Sequence, residues 1–521
     1  VGRWKVPIAV VAALLVGPQS AQAAALVPLA PASAWSSTPM HAVSPPEDPR
    51  LFVVERGGGI RVVEEGVLRP TPFLTVQNVD TSGERGLLSI AFSPDYATSG
   101  LFYVFTVAAG ADELDPSAIA GDLRVVEYRR SATDPNLADP ASARLVWKQQ
   151  HSAGIHNGGQ IAFGPEGLLY VTTGDAGTSA NAQSLTNDLG KVLRIDPHDP
   201  VGSETFGVPA SNPFVGTGAK PEIYTLGLRN PYRASFSPGG DLVLPDVGQE
   251  TWEEVNLGRA TGTPAATTLA GANLGWPNCE GACTPSNPSF TDPFFQYSHA
   301  GPTETTGCAI IGGYVVRDST LTGLTGRYLY GDYCRNDLRT LDLNATGADP
   351  QPSGLTLPPD ELLGFGEDSR GCVYVMTDVT VYRVAASATS GTACPPPAPA
   401  TGDDRPPRLI LDKAHRRPLR RFLQVVASCD EACSLRATGR LGISRGQRSG
   451  ARSSSGARLI AASGSGAPGV RVRLRLRLPG AAFSRAKRAR EDGRRVTAQL
   501  VVTATDDSGN AAKRAKRIAL R

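Results

Sequence analysis

The sequence has no Walker A loop, no Ser nucleophile elbow and no HExxH helix, and Gly57-Gly-Gly-Ile is not a dinucleotide fingerprint. Nucleotide and nicotinamide chemistry therefore have no motif to rest on. Charge is sparse, with 19% charged residues and a formal balance of +3 over 521 residues, while 40% are hydrophobic. Those proportions belong to a folded globular chain and exclude global disorder. Beyond the first two dozen residues no apolar run approaches the roughly 20 residues that a membrane-spanning helix needs, which excludes a multi-span membrane protein. Helical periodicity is scarce through most of the chain, and there are only six histidines.

The near-neutral total conceals a division. Residues 401–521 hold 28 Lys+Arg against 9 Asp+Glu, leaving 24 against 40 for the first 400 residues. An acidic body is thus joined to a basic tail, and a chain of this length suits two domains. At the N-terminus Arg3 and Lys5 precede the apolar run Val6 to Val16 and the small-x-small pattern Ala21-Gln-Ala23. This is the layout of a secretory signal, assigned here to residues 1–23, and the run is short for a retained anchor. Export would make the eight cysteines candidates for disulfides. They fall into close groups, Cys279 with Cys283, Cys308 with Cys334, Cys372 with Cys394, and Cys429 with Cys433. Pairing within groups gives four short-loop bridges, although spacing alone leaves connectivity open. Zinc is the weaker reading, because no His lies beside the pairs.

Residues 24–47, rich in Ala, Pro and Ser, read as a tether. From 48 to 384 short apolar strands alternate with Gly, Pro, Asp and Asn, the pattern of an all-β fold. A degenerate unit recurs, in which a strand ending in Phe meets a turn and a second strand, with Phe at 92, 163, 236 and 365. The gaps are 71, 73 and 129, the last near two periods. Gly312-Gly-Tyr-Val-Val-Arg with Arg327-Tyr-Leu-Tyr-Gly-Asp fills the missing copy, and Leu51-Phe-Val-Val with Ile60-Arg-Val-Val opens the series. Six such units predict a six-bladed β-propeller, with a large β-sandwich or β-helix as the competing layout. Residues 385–405 form a Pro-rich linker, and 406–521 read as a small basic β-sandwich-like domain. There the run from Val470 to Leu478 alternates so that one face carries four arginines, Phe483 to Arg490 reads as a short helix, and Thr497–Ala504 with Lys513–Leu520 reads as a hairpin.

Three loops carry residues suited to chemistry. His156, in Gly154-Ile-His-Asn-Gly-Gly-Gln, enters the third unit, where an imidazole can act as a base near neutral pH or merely brace a turn. Arg229 and Asn230, in Gly227-Leu-Arg-Asn-Pro, precede the fourth unit, and the planar fork of Arg229 suits a carboxylate unless it serves the turn. The stretch Asp246-Val-Gly-Gln-Glu-Thr-Trp-Glu-Glu-Val-Asn offers Gly248, Glu253 and Glu254 as hard oxygen ligands for Ca²⁺, or is only solvated. Asp175 and Asp188 are turn or channel-lining candidates.

Gly83-Glu-Arg-Gly-Leu-Leu-Ser-Ile-Ala-Phe, His156-Asn-Gly-Gly-Gln-Ile-Ala-Phe, Gly227-Leu-Arg-Asn-Pro, Glu254-Val-Asn and Asn273-Leu-Gly-Trp-Pro, in that order, resemble the glucose/sorbosone dehydrogenase family. The resemblance implies a six-bladed propeller that uses pyrroloquinoline quinone (PQQ) and Ca²⁺. It implies that His156 takes the proton from the anomeric hydroxyl of an aldose, that Arg229 and Asn230 contact the cofactor, and that the loop around Gly248 to Glu254 binds Ca²⁺. The expected protein is an exported, quinone-dependent oxidoreductase that converts aldoses to lactones and passes electrons to an external acceptor. Its compartment would be secreted, periplasmic or cell-wall-associated. The sequence departs from the family where paired arginines are expected in the last blade, because Leu363-Gly-Phe-Gly-Glu-Asp-Ser-Arg-Gly stands there and its acidic pair would repel a tricarboxylate. Glu84-Arg85-Gly86 and His156-Asn-Gly-Gly also resemble the propeller of hedgehog-interacting proteins. That likeness implies the alternative, a non-catalytic propeller that binds carbohydrate or protein at a cell surface. The basic tail suits an anionic cell-wall polymer or else serves as an Arg-rich solvated spacer, and with few aromatics and an export signal it is a poor nucleic-acid binder.

Overall fold

A computed structural model describes residues 23–198, 205–261, 267–299, 307–395, 408–411, 416–430, 433–444, 457–466, 471–506 and 511–521. The signal expected at 1–23 lies outside these except for its last residue, as does the linker from 396 onward. Among the described residues no helix is long and apolar enough to cross a membrane.

The repeat read from the sequence is a pair of strands with the turn between them. Phe92, Phe163, Phe236 and Phe365 lie on Leu87–Phe92, Ile161–Phe163, Ser235–Phe236 and Leu362–Glu367, each the first strand of a unit. In three units the turn to the second strand is closed by a glycine: Gly167 N–H donates to Gly164 O, Gly240 to Ser237 O and Gly371 to Asp368 O. These glycines have φ of 83°, 88° and 92°, which a side chain would strain. Four antiparallel sheets of four strands follow in chain order, beginning at Leu87–Phe92, Ile161–Phe163, Ser235–Phe236 and Ile310–Val315. The first and last parts of the propeller share a nine-stranded sheet, because Pro39–Val43 pairs in parallel with Leu362–Glu367 through Ala42↔Gly366 and Val43↔Glu367. The first strands of the units are buried or half-buried, and apolar clusters fill the space between neighbouring sheets. This is a β-propeller, whose sheets bury their faces on one another.

The tether expected at 24–47 is corrected. Ala25–Pro28 pairs antiparallel with Val381–Ala385, and Pro39–Val43 pairs with Leu51–Glu55. Val27, Leu29, Trp35, Met40 and Ala42 are buried, and Trp35 Nε1 donates to Thr380 Oγ1 at 2.9 Å. Ala and Pro dominate the composition, so these few large apolar residues gave no strand pattern. The opening copy at Leu51 is consequently the second strand of its unit, and Pro39–Val43 is the first.

The basic region forms an eight-stranded sheet around its own apolar core, with a helix at Gly480–Glu491 that buries Ala482, Ala486 and Ala489. The expected hairpin is present as Val496–Asp506 paired with Ala511–Leu520. All four expected disulfides form, and no described cysteine is free.

Candidate functional site

The inner strands run side by side in one direction, so the loops that precede them gather at one end of the propeller. His156 lies there, ahead of Ile161–Phe163, with a φ of 56° that is uncommon for a residue with a Cβ. Its N–H donates to Glu84 Oε2 at 2.8 Å, and Glu84 belongs to the loop before Leu87–Phe92. Gly158 has φ 62°, and a Cβ there would stand 2.7 Å from Thr173 Cα. A Cβ on Gly174 would meet His156 O at 2.1 Å. Both glycines thus let the His156 loop lie backbone against backbone on the loop that carries Asp175.

That contact brings His156 Nδ1 to 2.7 Å from Asp175 Oδ1. Asp175 is 1% exposed, and its Oδ1 also accepts Gly177 N–H at 2.8 Å while Oδ2 accepts Trp276 Nε1 at 2.9 Å. With a carboxylate at Nδ1 the ring carries its proton there and presents Nε2 as the basic nitrogen. Lys191 Nζ, donating to the carbonyls of Asn181, Ala182 and Leu189, pins the loop behind Asp175. Asn230 joins the same cluster, since its Oδ1 accepts Gly158 N–H at 3.0 Å and Arg229 O accepts Asp175 N–H at 2.8 Å. Arg229 Nη1 donates to Val247 O at 3.1 Å, the guanidinium lies 5.9 Å from the Trp276 ring centroid, and its buried Nε has no partner. Both polar atoms of the Asn157 side chain are buried without partners as well. These orphaned donors beside His156 fit a ligand that bears carboxylates and carbonyls.

Asp246 anchors the arginine loop: Oδ1 accepts Asn230 N–H at 2.7 Å and Oδ2 accepts Arg229 N–H at 2.8 Å. Its cross-strand neighbour is Glu254. Burial, and then the mutual repulsion of the two carboxyls, lifts Asp246 well above the usual carboxylate range. Burial likewise pushes Glu254 up to about 7.

Gly248, Glu253 and Glu254 do not form one cation site. Glu253 and Glu254 are adjacent on the strand Trp252–Gly258 and face opposite sides of the sheet. Glu253 pairs with His299 Nε2 and accepts Ile310 N–H at 2.8 Å, whereas Glu254 accepts Gly281 N–H. Beside Gly248, the N–H groups of Gln249, Glu250, Thr251 and Trp252 all donate to Glu280 Oε1 at 2.7–3.2 Å. A loop that turns four amides inward satisfies an anion, here the Glu280 carboxylate. The short disulfide Cys279–Cys283 brackets Glu280. The other close groupings of Cys and carboxylate, Cys308/Asp332/Cys334 and Asp368/Cys372/Cys394, have their sulfurs in disulfides.

The acidic pair of the last sheet is also relocated. Glu367 ends its inner strand, Ser44 N–H donates to Glu367 O, Ser369 Oγ donates to Asp48 O, and Arg317 Nε donates to Glu367 Oε1 at 2.5 Å. All these partners follow inner strands, so Glu367 and Asp368 lie at the opposite mouth from His156 and repel nothing bound beside it. At the His156 end this sheet presents Asp360-Glu361 and Asp378-Val379-Thr380, which contain no arginine.

The sequence offers His156, Arg229 and Asn230 as candidates, and the structure brings them together. Asp175 and Asp188, turn or channel-lining candidates in the sequence, part company in the structure, where Asp175 holds the His156 ring. Asp188 instead lies behind the site, accepting Trp147 Nε1 at 3.0 Å and pairing with Lys220. Glu84 and Trp276 were visible only inside motifs quoted for family likeness, and no spacing rule joins residues 84, 156, 175 and 276.

Residues 37–380 match the family model described as glucose/sorbosone dehydrogenase. The hedgehog-interacting protein of Mus musculus is 30% identical over 349 residues, covering 63% of this chain and 47% of the relative. The aldose sugar dehydrogenase YliI of Escherichia coli (strain K12) is 28% identical over 236 residues, 44% of this chain and 57% of the relative. The chain therefore spans about half the length of these curated relatives. Among solved structures, the PQQ-bound aldose sugar dehydrogenase of Streptomyces coelicolor superposes with a TM-score of 0.52 at 24% identity, covering 70% of this chain and 98% of the other, a likeness of fold.

Proposed function

Since the chain belongs to the glucose/sorbosone dehydrogenase family, we propose that it is an exported, PQQ-dependent oxidoreductase that oxidises the anomeric hydroxyl of aldoses to lactones. We read the nine-stranded sheet as two blades, which makes a six-bladed propeller over 48–384 extended back to residue 24. The eight-stranded region of 406–521 we read as an appended sandwich-like module. The observation that carries the proposal is the His156–Asp175–Trp276 chain at the mouth where Arg229 and Asn157 hold buried polar atoms without partners.

Bound there, the quinone supplies the two-electron acceptor that no side chain provides. Arg229 and Asn157 would hold it through their unpaired donors, and Asn230 holds the His156 loop in place. His156 Nε2 takes the proton of the sugar C1 hydroxyl. Asp175 fixes the tautomer and stabilises the imidazolium that forms, and Trp276 Nε1 keeps the Asp175 carboxylate aimed at Nδ1. Ca²⁺ enters only as an assay component, because Gly248, Glu253 and Glu254 do not converge. Purified protein supplied with PQQ and Ca²⁺ should reduce a redox dye with some member of an aldose panel. His156→Gln should abolish turnover while retaining quinone absorbance. Absence of both quinone binding and turnover would sink the proposal.

The alternative is a propeller that binds protein or carbohydrate without chemistry. The observation in its favour is the lack of arginines at the near end of the last sheet, together with a match to the hedgehog-interacting protein over more of the chain than to the bacterial dehydrogenase. Quinone binding with turnover rejects it.

A further inference from the structure

Below the His156 loop the channel holds a charge that the proposed reaction does not use. Arg233 stands three residues past Asn230, just ahead of the inner strand Ser235–Phe236, and is 3% exposed. Its Nη2 donates to Met40 O and to the Tyr232 hydroxyl, both at 2.9 Å, and the guanidinium lies 3.9 Å from the Tyr232 ring centroid. Nη1 makes one long contact, 3.4 Å to Tyr232 O, and Nε is buried without a partner. Gly312 on the facing inner strand leaves room for this side chain, since a Cβ there would stand 3.1 Å from Arg233 Cβ.

The groups in contact with Arg233 are neutral, and the carboxylates of Glu84 and Glu367 reach Tyr232 and Tyr314 only through longer-range electrostatics. His41 Nε2 lies 3.2 Å from the Tyr314 hydroxyl and 3.4 Å from Gln160 Nε2. Burial, and then the charge of Arg233, pushes His41 down to about 3. Burial raises the phenols of Tyr232 and Tyr314. Among the described residues no carboxylate forms an ion pair with Arg233, and the two tyrosines beside it are uncharged. Two other buried arginines of this propeller are matched, Arg124 by Asp112 at 2.8 Å and Arg194 by Glu166 at 2.9 Å, whereas Arg383 shares with Arg233 the lack of an ion pair among the described residues. An enclosed guanidinium without a counter-charge is costly, and its planar fork of donors matches a carboxylate.

We propose that Arg233, with the hydroxyls of Tyr232 and Tyr314, is an anion site in the channel beneath His156 that takes a carboxylate group. The carboxylate comes either from the quinone, in which case Arg233 does the work of the arginines missing from the last sheet, or from a free organic acid. The first source rests on the quinone reading and the second does not.

Thermal unfolding of the full chain at constant ionic strength, titrated separately with PQQ and with citrate, tests the site. In the wild type at least one of these probes should raise the unfolding temperature. Arg233→Gln should abolish that rise and weaken binding of the same probe tenfold or more, measured for PQQ by its absorbance and for citrate by calorimetry. Arg233→Lys, which keeps the charge and loses the fork, should recover part of the affinity, and it carries the comparison if the Gln variant does not fold. An effect with citrate and none with PQQ upholds the anion site and counts against the quinone reading. An effect with PQQ alone identifies the quinone as the source. Equal responses of wild type and variants to both probes, or no response of the wild type to either, overturn the proposal.

Discussion

His156 and Asp175 are 19 residues apart in sequence, and two glycines that tolerate backbone contact bring them to 2.7 Å. Replacing Asp175 by Asn removes the negative charge from Nδ1 and allows the ring to turn its proton toward the substrate. Turnover should fall on the order of 10²-fold or more while quinone binding persists, a split that steady-state kinetics beside absorbance titration would reveal. The Asp246/Glu254 pair makes a second prediction. The folded Glu254 carboxyl holds its proton up to about pH 7, whereas the unfolded chain releases it near 4.5. Between those values the native state binds more protons than the unfolded state, so stability falls as pH rises through the window and stays lower above it. The penalty has an upper bound of about 3 kcal/mol. Glu254→Gln should flatten the decline and stabilise the protein at pH 8, as denaturant titrations in EDTA across pH 4–8 will measure. At this scale the sequence revealed the residues whose chemistry is unusual in itself, such as a His among glycines or an Arg-Asn-Pro turn. It concealed Glu84, Trp276 and Glu280, which act only through partners that the fold brings in from more than 25 residues away.

The elements were legible where local chemistry repeats. The Phe, the glycine turn and the second strand recur because each unit meets the same packing problem, and this showed in the spacing. The opening strand was not legible, because Ala25–Pro28 owes its conformation to pairing with Val381–Ala385, more than 350 residues away, and not to its own pattern. That pairing carries the edge of the last unit, and Cys372–Cys394 ties the adjoining chain to it. Deleting residues 24–28 should leave the backbone of Val381–Ala385 unpaired on one side and uncover Tyr382 and Val384, lowering the thermal midpoint and promoting association. Removing the disulfide by Cys372→Ala with Cys394→Ala closes off a different contribution. Its 22-residue loop predicts a loss of about 3 kcal/mol. Calorimetry of the two variants separates sheet closure from cross-linking, since only the deletion should be accompanied by light scattering before unfolding.

On the scale of the whole molecule the charge division becomes a matter of position. The sequence places four arginines on one face of the strand through Val470–Leu478, but only Arg471, Arg473 and Arg475 are exposed. Arg477 is buried and donates to both Asp196 carboxylate oxygens at 2.8–2.9 Å and to His198 O at 2.6 Å. Arg436 also pairs with Glu47. Asp196 and Glu47 both belong to loops at the end of the propeller away from His156. These described contacts of the basic module therefore lie at the end of the propeller away from His156 and neutralise part of the acidic body there. The three remaining arginines recur about every 7 Å along the strand, a spacing that suits an extended polyanion. If they attach the protein to an anionic cell-wall polymer, retention on an anionic matrix should fall steeply with salt and disappear when residues 401–521 are deleted. Replacing Arg471, Arg473 and Arg475 by Gln should remove most of that retention without changing sugar oxidation. Arg477→Ala should do the opposite, freeing the module from the propeller, raising the radius of gyration in solution scattering, and leaving retention intact. Retention that survives the triple replacement but is lost with Arg477→Ala would mean that the docked assembly binds the matrix and the exposed strand face does not.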